Sequence, residues 1–454
     1  DYIPVYLSQI PKIFENQEIG LDVALIQVSP PDNHGYCSLG ISVDITLSGM
    51  KNARLVIAQV NKDMPRTWGD GIVHVDEIDY LVEYDEPVVE SLPEPKNRQV
   101  VERIGHYVNM LVDDGATLQI GFGHLPDAVM PFLSEKKDLG IHTQVITDGL
   151  LPLFEQKVIT NSKKQHLPDR VVASLCMGSK KLYDFVNNNP IFYFKSSEFV
   201  NDPNVIARND NFISISSALE VDLTGQVCTD SKGYLIYSGI GDQVDFIRGS
   251  AMSKGGFSII IIPSTAQDGK VSRIVPALSE GAGVATTRGD IDIIVTEYGI
   301  AELRRKSIYQ RVMELASISH PKFRKQLIEA AKKRHYIFPD QLPPSTQDLL
   351  FLDQYRSSLT LANGKTVEFR PLLPSDEFES RNFYYSLQED SIYYRFFNKR
   401  KVFSREMLQR QWADVDYRRN MTIIALMQVG KRKQMVAIGS YAELEKGWAE
   451  VAFV

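Results

Sequence analysis

Short apolar runs alternate with stretches of helical period along roughly the first 335 residues. Residues 22–28, 54–60, 117–120, 170–175, 258–262 and 292–295 are near-continuous Val/Ile/Leu segments. Runs of this length, bounded by Gly and Pro, predict parallel strands covered on both faces. Between them, Ser179 is placed to cap a helix carrying Leu182, Phe185 and Val186 on one face. Pro321 is placed to open another, with Phe323, Leu327 and Ala331 at helical spacing. The alternation predicts an α/β architecture. A further strand is expected over residues 142–149, where Gln144, Ile146 and Asp148 would share a face, with Asp148 about 13 Å from Gln144.

Two linkers interrupt the pattern. Residues 85–96 are acidic and proline-rich, and are expected to join two α/β lobes. Residues 336–360, with Pro339, Pro343 and Pro344, mark a second boundary. Past it, charged, aromatic-rich helical stretches lead to strands near 421–427 and 435–441. The organisation read from this is 1–90, 97–335, a linker over 336–360, and 361–454. Neither end reads as the edge of a domain: Asp1-Tyr2-Ile3-Pro4 carries no initiator methionine or targeting stretch, and residues 449–454 stop inside an apolar strand pattern. The chain is expected to be a fragment whose first lobe lacks its opening.

Bulk properties narrow the class of protein. A length of 454 residues suggests about three domains, and 43% hydrophobic with 24% charged residues is the balance of a globular protein. A formal charge of −7 gives no electrostatic reason to expect nucleic acid. The densest apolar run, Ile259 to Ile262, is stopped by Pro263, far short of the roughly 18 residues a membrane helix needs. Three cysteines, Cys37, Cys176 and Cys228, lack ligand-like spacing. They point to buried thiols in a reducing, cytoplasmic setting, and no metal is expected.

Candidate chemistry gathers in glycine loops. Gln119-Ile120-Gly121-Phe122-Gly123-His124-Leu125-Pro126 is a strand ending in a Gly-x-Gly turn that opens a helix, which Pro131 should kink or shorten. Such a turn lets backbone N–H groups approach an anion. Taken alone, such a turn serves packing more often than binding. A second turn, Tyr237-Ser238-Gly239-Ile240-Gly241-Asp242-Gln243, has the same character. His34, His74, His124, His142 and His320 have no metal-site spacing. Glu220 reads as a hydrogen-bonding or packing residue, and Glu297 as a partner for arginine.

Together with residues 29–37, 177–185, 217–222, 272–276, 285–288 and 295–303, these loops make the chain from 1 to about 335 resemble the acetyl-CoA hydrolase/transferase family. Within it, the 4-hydroxybutyrate and acetate CoA-transferases are most similar. The resemblance implies two CoA-transferase-type α/β lobes, with acyl-CoA and a carboxylate as substrates. It also implies covalent catalysis: a glutamate attacks the thioester, a mixed anhydride forms, and CoA returns to give an enzyme-CoA thioester. Loop N–H groups stabilise the oxyanions. By position, Gly121, Phe122, Gly123, His124 and Leu125 would hold CoA, with Leu219, Gly239, Gly241 and Asp242 adding contacts.

The same matching places the nucleophile at Gln144. A neutral amide cannot form the anhydride, and losing a nucleophile costs on the order of 10⁶-fold, a barrier rise of about 8 kcal/mol. Asp242 stands where the family loop has glycine, and its charge would oppose a nearby oxyanion. Asp242 is also the better placed of the carboxylates that could substitute for the missing nucleophile, although simple loss of that chemistry is the favoured reading.

Residues 361–454 resemble the first half of a GNAT-type N-acetyltransferase, a partial α+β domain with strand–helix–helix–strand–strand order. A Ser375 cap is expected there, with residues 448–454 as the strand alongside acetyl-CoA. Glu443, Glu445 and Glu450 are surface charges by default, one of which could act as a base. Two functional readings stay open: a CoA-transferase or acyl-CoA hydrolase, and a non-catalytic acyl-CoA sensor attached to an acetyltransferase. A homo-oligomer is compatible with both.

Overall fold

The computed structural model describes residues 2–91, 97–344, 355–413, 419–429, 432–445 and 447–454. Parts of both expected linkers, residues 92–96 and 345–354, lie outside the described residues. Two compact units form: Asp1–Val221 with Gln226–Pro263 and Leu278–Val295, and Asp222–Gly225 with Ser264–Ala277 and Thr296–Val454.

Besides a three-stranded parallel sheet of Val171–Ala173, Phe192–Phe194 and Trp68–Gly69 and a short parallel pair, Val145–Ile146 with Leu175–Cys176, the first unit holds two further sheets of mainly parallel strands. In the smaller, β1 (Leu21–Val28), β2 (Ala53–Val60) and β3 (Tyr80–Glu83) lie side by side in that order, with Leu25 beside Ile57 and Ile57 beside Tyr80. Helix α1 (Thr46–Asn52) leads directly into β2. Val28, Val56, Ala58 and Val60 bury one face, while Val23, Leu25, Tyr80 and Val82 on the other remain exposed.

The larger sheet follows α2 (Arg98–Leu111). Five of its six strands are β4 (Thr117–Ile120), β5 (Gly140–Ile141), β6 (Phe212–Ser217), β7 (Phe257–Ile261) and β8 (Ile293–Thr296). They run β8-β7-β6-β4-β5 across the sheet, all parallel, with Ile215 between Ile120 and Ile259. The helices between them include α3 (His124–Val129), α4 (Lys180–Val186) and α5 (Gln243–Met252). Ile120, Ile215, Ile259, Ile260, Ile261 and Val295 are buried, as double-faced parallel strands require. Phe212 and Phe246 stack at 6.2 Å beneath the sheet, in a cluster with Val172, Val200 and Ile206.

Local signals behave as their chemistry dictates. The Ser179 hydroxyl accepts from Leu182 N–H at 3.3 Å and caps α4. α3 is ended early, and Pro131 sits in the single 3₁₀ turn Met130–Leu133 that follows. The continuous strand expected over 142–149 does not form. Only Val145–Ile146 pair as strand, with Leu175–Cys176, and Asp148–Leu150 turn as 3₁₀ helix. Pro152 near the chain reversal and Gly149 against Asp127 favour the turn over extension.

In the second unit, Ser307 and Gln310 form a reciprocal capping box at the start of α6 (Ile308–Ile318), and α7 (Pro321–Lys333) begins at Pro321. A five-stranded antiparallel meander follows, β9 (Ser357–Thr360), β10 (Thr366–Pro371), β11 (Asn420–Val429), β12 (Arg432–Glu445) and β13 (Trp448–Phe453), paired in sequence order. Between β10 and β11 lie α8 (Glu377–Ser386), α9 (Glu389–Phe396) and α10 (Arg405–Ala413). Asp376, not Ser375, is the residue at the N-cap of α8. Its carboxylate is held by both Arg370 nitrogens at 2.6 and 2.8 Å.

Candidate functional site

The carboxyl ends of β4 and β6 open onto a cavity of about 630 Å³ in the first unit. In parallel α/β sheets this is where ligand crevices form. The turn after β4 is pressed against β6, with Gly121 N–H donating to Ile215 O at 2.7 Å. A Cβ on Gly121 would sit 3.0 Å from Ser216 Cα and 3.1 Å from Ile215 O, so any side chain there presses on the β6 backbone. Gly123, at φ +134°, turns the chain into α3. Phe122 and His124 stand exposed at the rim.

The opposite wall is the 237–243 loop leading into α5. Gln243 pins it: its amide donates to Ser217 O at 2.9 Å, and its carbonyl accepts from the Thr286 hydroxyl at 3.0 Å. The remaining wall comes from Thr147, Asp148 and Met177, with Ser216, Ser217 and Leu219 at the end of β6.

Three carboxylates line this space. Asp148 is fully engaged, accepting from Ser179 N–H at 2.7 Å and from its hydroxyl at 2.5 Å. Asp127 accepts from Gly149 N–H at 2.7 Å, and burial pushes its pKa up. Asp242 occupies the N-cap of α5 but makes no side-chain cap bond. Burial pushes its carboxyl up to about 6, against a smaller opposing pull from its own backbone N–H. Asp245 beneath it is buried and likewise pushed up to about 6, with Ser8 pulling it down and Asp242 adding to the rise. An ionised pair here faces both desolvation and mutual repulsion.

Of the residues expected from sequence, Gly121, Phe122, Gly123, His124, Leu219, Gly239, Gly241 and Asp242 line this one cavity. Leu125 and Gln144 do not. Gln144 is 3% exposed, and its backbone carbonyl accepts from Ser174 and Leu175 N–H groups at 3.1 and 3.0 Å. Both ends of its side-chain amide are buried without a hydrogen-bond partner. The preceding residues hold it firmly. Thr143 Oγ1 donates to Ile120 O at 3.0 Å and accepts from Ile120 N–H at 3.1 Å. His142 Nε2 bonds Val200 O at 2.8 Å, which fixes the Nε2–H tautomer, and burial holds its pKa down to about 3. Three residues after Gln144 the same segment reaches the cavity wall at Thr147 and Asp148.

Sequence reasoning missed Asp127, Thr147, Ser216 and Ser217. The two serines were findable, because they end a strand that neighbours the one carrying the glycine turn. Asp127 gave no signal beyond its place in that turn's helix. Glu220 accepts from Ser279 N–H and hydroxyl at 2.9 and 2.5 Å. Glu297 accepts from Ser264 N–H and hydroxyl at 2.8 and 2.6 Å, and its charge also acts on Arg273. Cys37, Cys176 and Cys228 are buried free thiols. Among the described residues, no group of three or more His, Cys, Asp or Glu could hold a metal, and no helix is long and apolar enough to cross a membrane.

Known proteins resemble this arrangement closely. Residues 1–93 match the acetyl-CoA hydrolase/transferase N-terminal domain and residues 178–331 its C-terminal domain. The 4-hydroxybutyrate coenzyme A transferase of Clostridium kluyveri is 52% identical over 334 residues, 74% of this chain and 78% of that protein. The succinyl-CoA:cyclohexane-1-carboxylate CoA transferase of Geobacter metallireducens is 44% identical over 337 residues, 74% and 77% of the two chains. Among solved structures, RipA from Yersinia pestis superposes with a TM-score of 0.71 at 40% identity, covering 74% of this chain and 76% of that one. The 4-hydroxybutyrate CoA-transferase of Porphyromonas gingivalis gives 0.66 at 43%, covering 72% and 79%. With identity this high over most of a relative's length, the chain belongs to the acetyl-CoA hydrolase/transferase family of enzymes.

Proposed function

We propose that this chain binds acyl-CoA in the cavity between the 121–125 turn and the 237–243 loop, and that its covalent transfer step is blocked at residue 144. In this reading Gly121 to Leu125 hold CoA, and Leu219, Gly239, Gly241 and Asp242 add contacts. The observation that carries it is Gln144, an amide where the family motif presents its nucleophilic glutamate. A carboxylate there could attack the thioester, expel CoA thiolate and take it back as an enzyme-bound thioester. The amide has no anionic oxygen with which to begin. Asp148 offers no replacement, since Ser179 occupies both of its oxygens. Asp242 has a carboxyl that makes no cap bond to α5, but on a loop where covalent catalysis would need new positioning.

Support for acyl-CoA rather than a smaller ligand comes from the cavity's 630 Å³ and its glycine-built wall. Buried free cysteines fit a reducing, cytoplasmic setting. The test is incubation with acetyl-CoA and acetate, followed by CoA-exchange assay and intact mass. Saturable CoA binding with no adduct and no exchange is expected, and Gln144→Glu should then yield a CoA-mass adduct and switch exchange on. Exchange by the unaltered protein with a covalent adduct would overturn the block.

A second reading concerns the chain's other end, with lobes at 1–90 and 97–335, a linker at 336–360 and a module at 361–454. The antiparallel meander with helices inserted between β10 and β11 supports a partial GNAT-type acetyltransferase. The whole would then be an acyl-CoA sensor joined to an acetyl-transfer module. Acetyl-CoA binding that survives Gly121→Leu in the first cavity and maps to β13 by hydrogen exchange would support this. Complete loss of binding in that variant would refute it.

A further inference from the structure

The antiparallel sheet of the second unit carries a hollow that its packing does not require. Two adjacent rungs run across three strands, Asn420 beside Ala442 beside Glu450, and Thr422 beside Ser440 beside Ala452. Cross-strand partners point to the same face, so Ala442, Ser440 and Ala452 place three small side chains together. A cavity of about 190 Å³ opens above them, roofed by Arg395 of α9 and by Arg410 and Gln411 of α10.

The charges on its wall are unbalanced in place. Arg395 is half-buried, yet its one hydrogen-bond partner is neutral: Nη2 donates to the Ser440 hydroxyl at 2.9 Å. Its Nε is buried without a partner. The Phe396 ring lies 5.2 Å from the guanidinium, a contact that supports but does not neutralise a cation. Arg410 is spent on an exposed 2.8 Å pair with Glu406. Glu450, on the far rung, forms no ion pair with either arginine. A half-buried guanidinium and an exposed carboxylate thus line one small space without meeting. A half-buried charge left unpaired is costly, and a ligand of the right shape would satisfy both.

We propose that this hollow is a binding site for a small free α-amino acid, with its carboxylate on Arg395 and its ammonium on Glu450. The Ser440 hydroxyl would contribute a further bond to the carboxylate, and the alanines leave room for a short side chain. The site stands independently of whether the module transfers acetyl groups, because the geometry asks only for binding.

The experiment is isothermal titration of the whole chain with L-serine and L-alanine, alongside L-lactate, which lacks the ammonium, and L-serine methyl ester, which lacks the carboxylate. Saturable binding of the two amino acids is expected, at least tenfold tighter than either singly charged probe. Arg395→Gln and Glu450→Gln should each weaken it at least tenfold. Glu450 is exposed, so that variant folds whatever becomes of the other, and circular dichroism checks both. No saturable binding of either amino acid, equal binding of the lactate or ester, or binding indifferent to Glu450→Gln would each overturn the proposal.

Discussion

Gln144 is a polar side chain in the interior with neither amide end bonded. An unsatisfied buried polar group costs roughly 1–3 kcal/mol, whereas an apolar side chain of like shape is close to neutral. Gln144→Met is therefore expected to hold or raise the unfolding free energy, by up to about 2 kcal/mol. Denaturant melts check this, and a clear loss of stability would mean the amide has a structural duty instead of a vacated catalytic one. Asp242 makes a second case. Its folded pKa of about 6 lies above the ordinary 3.8, so the native state holds its proton more tightly than the unfolded chain. The stability it contributes is fully present below about pH 4 and is lost as pH rises through 6. Asp245 adds the same trend. Asp242→Asn should flatten part of that decline in thermal melts between pH 4 and 7. Ionised Asp242 also opposes the phosphates of CoA, so Asp242→Gly should tighten CoA binding several-fold at pH 7.5 and by less at pH 5.5. Equal affinities at both pH values would remove Asp242 from the binding wall.

At the scale of elements, the glycine turn after β4 decides how closely two strands can hold the site. Gly121→Ala would push a methyl into the backbone of β6 at Ser216 and Ile215. Overpacking of this sort costs about 1–3 kcal/mol, and displacing the 121–124 backbone should weaken CoA binding tenfold or more. Calorimetric binding with a parallel thermal melt separates the two effects. The parallel strands were legible because burial on both faces demands continuous Val/Ile/Leu runs, as at Ile259 to Ile262. The α4 cap was legible because Ser179 needs only the N–H groups beside it in sequence. The cavity wall at Thr147 and Asp148 was misread as one strand, because alternation over 142–149 cannot reveal that Gly149 must fit against Asp127. Gln144's distance from the cavity lining was likewise hidden: a motif fixes a position in the chain, whereas pairing with residues 174 and 175 fixes where the side chain goes.

At the scale of whole units, the second unit is joined internally by a buried polar knot that no local pattern announces. Glu377, 5% exposed at the start of α8, accepts from the Tyr309 hydroxyl at 2.8 Å and from Arg405 Nε at 2.6 Å. Buried Gln341 joins the knot, its Oε1 accepting from Arg405 at 2.9 Å and lying 2.9 Å from the same Tyr309 hydroxyl. Arg405 also pairs with Asp340 and lies 4.1 Å above the Phe338 ring. The knot ties α6 and the segment after α7 to α8 and α10, residues separated by up to about a hundred positions in sequence. It makes the antiparallel module part of the unit that contains α6. Removing one partner of a buried ion pair leaves the other charge unpaired and costs about 3–5 kcal/mol. Arg405→Met should therefore destabilise the second unit by that amount, and Arg405→Met with Glu377→Gln by clearly less, because the stranded carboxylate is gone. Hydrogen exchange localises the effect: protection should fall in α8 and α10 while β4 and β6 of the first unit keep theirs. If the double variant were as unstable as the sum of its single changes, the pair would not be coupled, and apolar packing alone would hold the module in place.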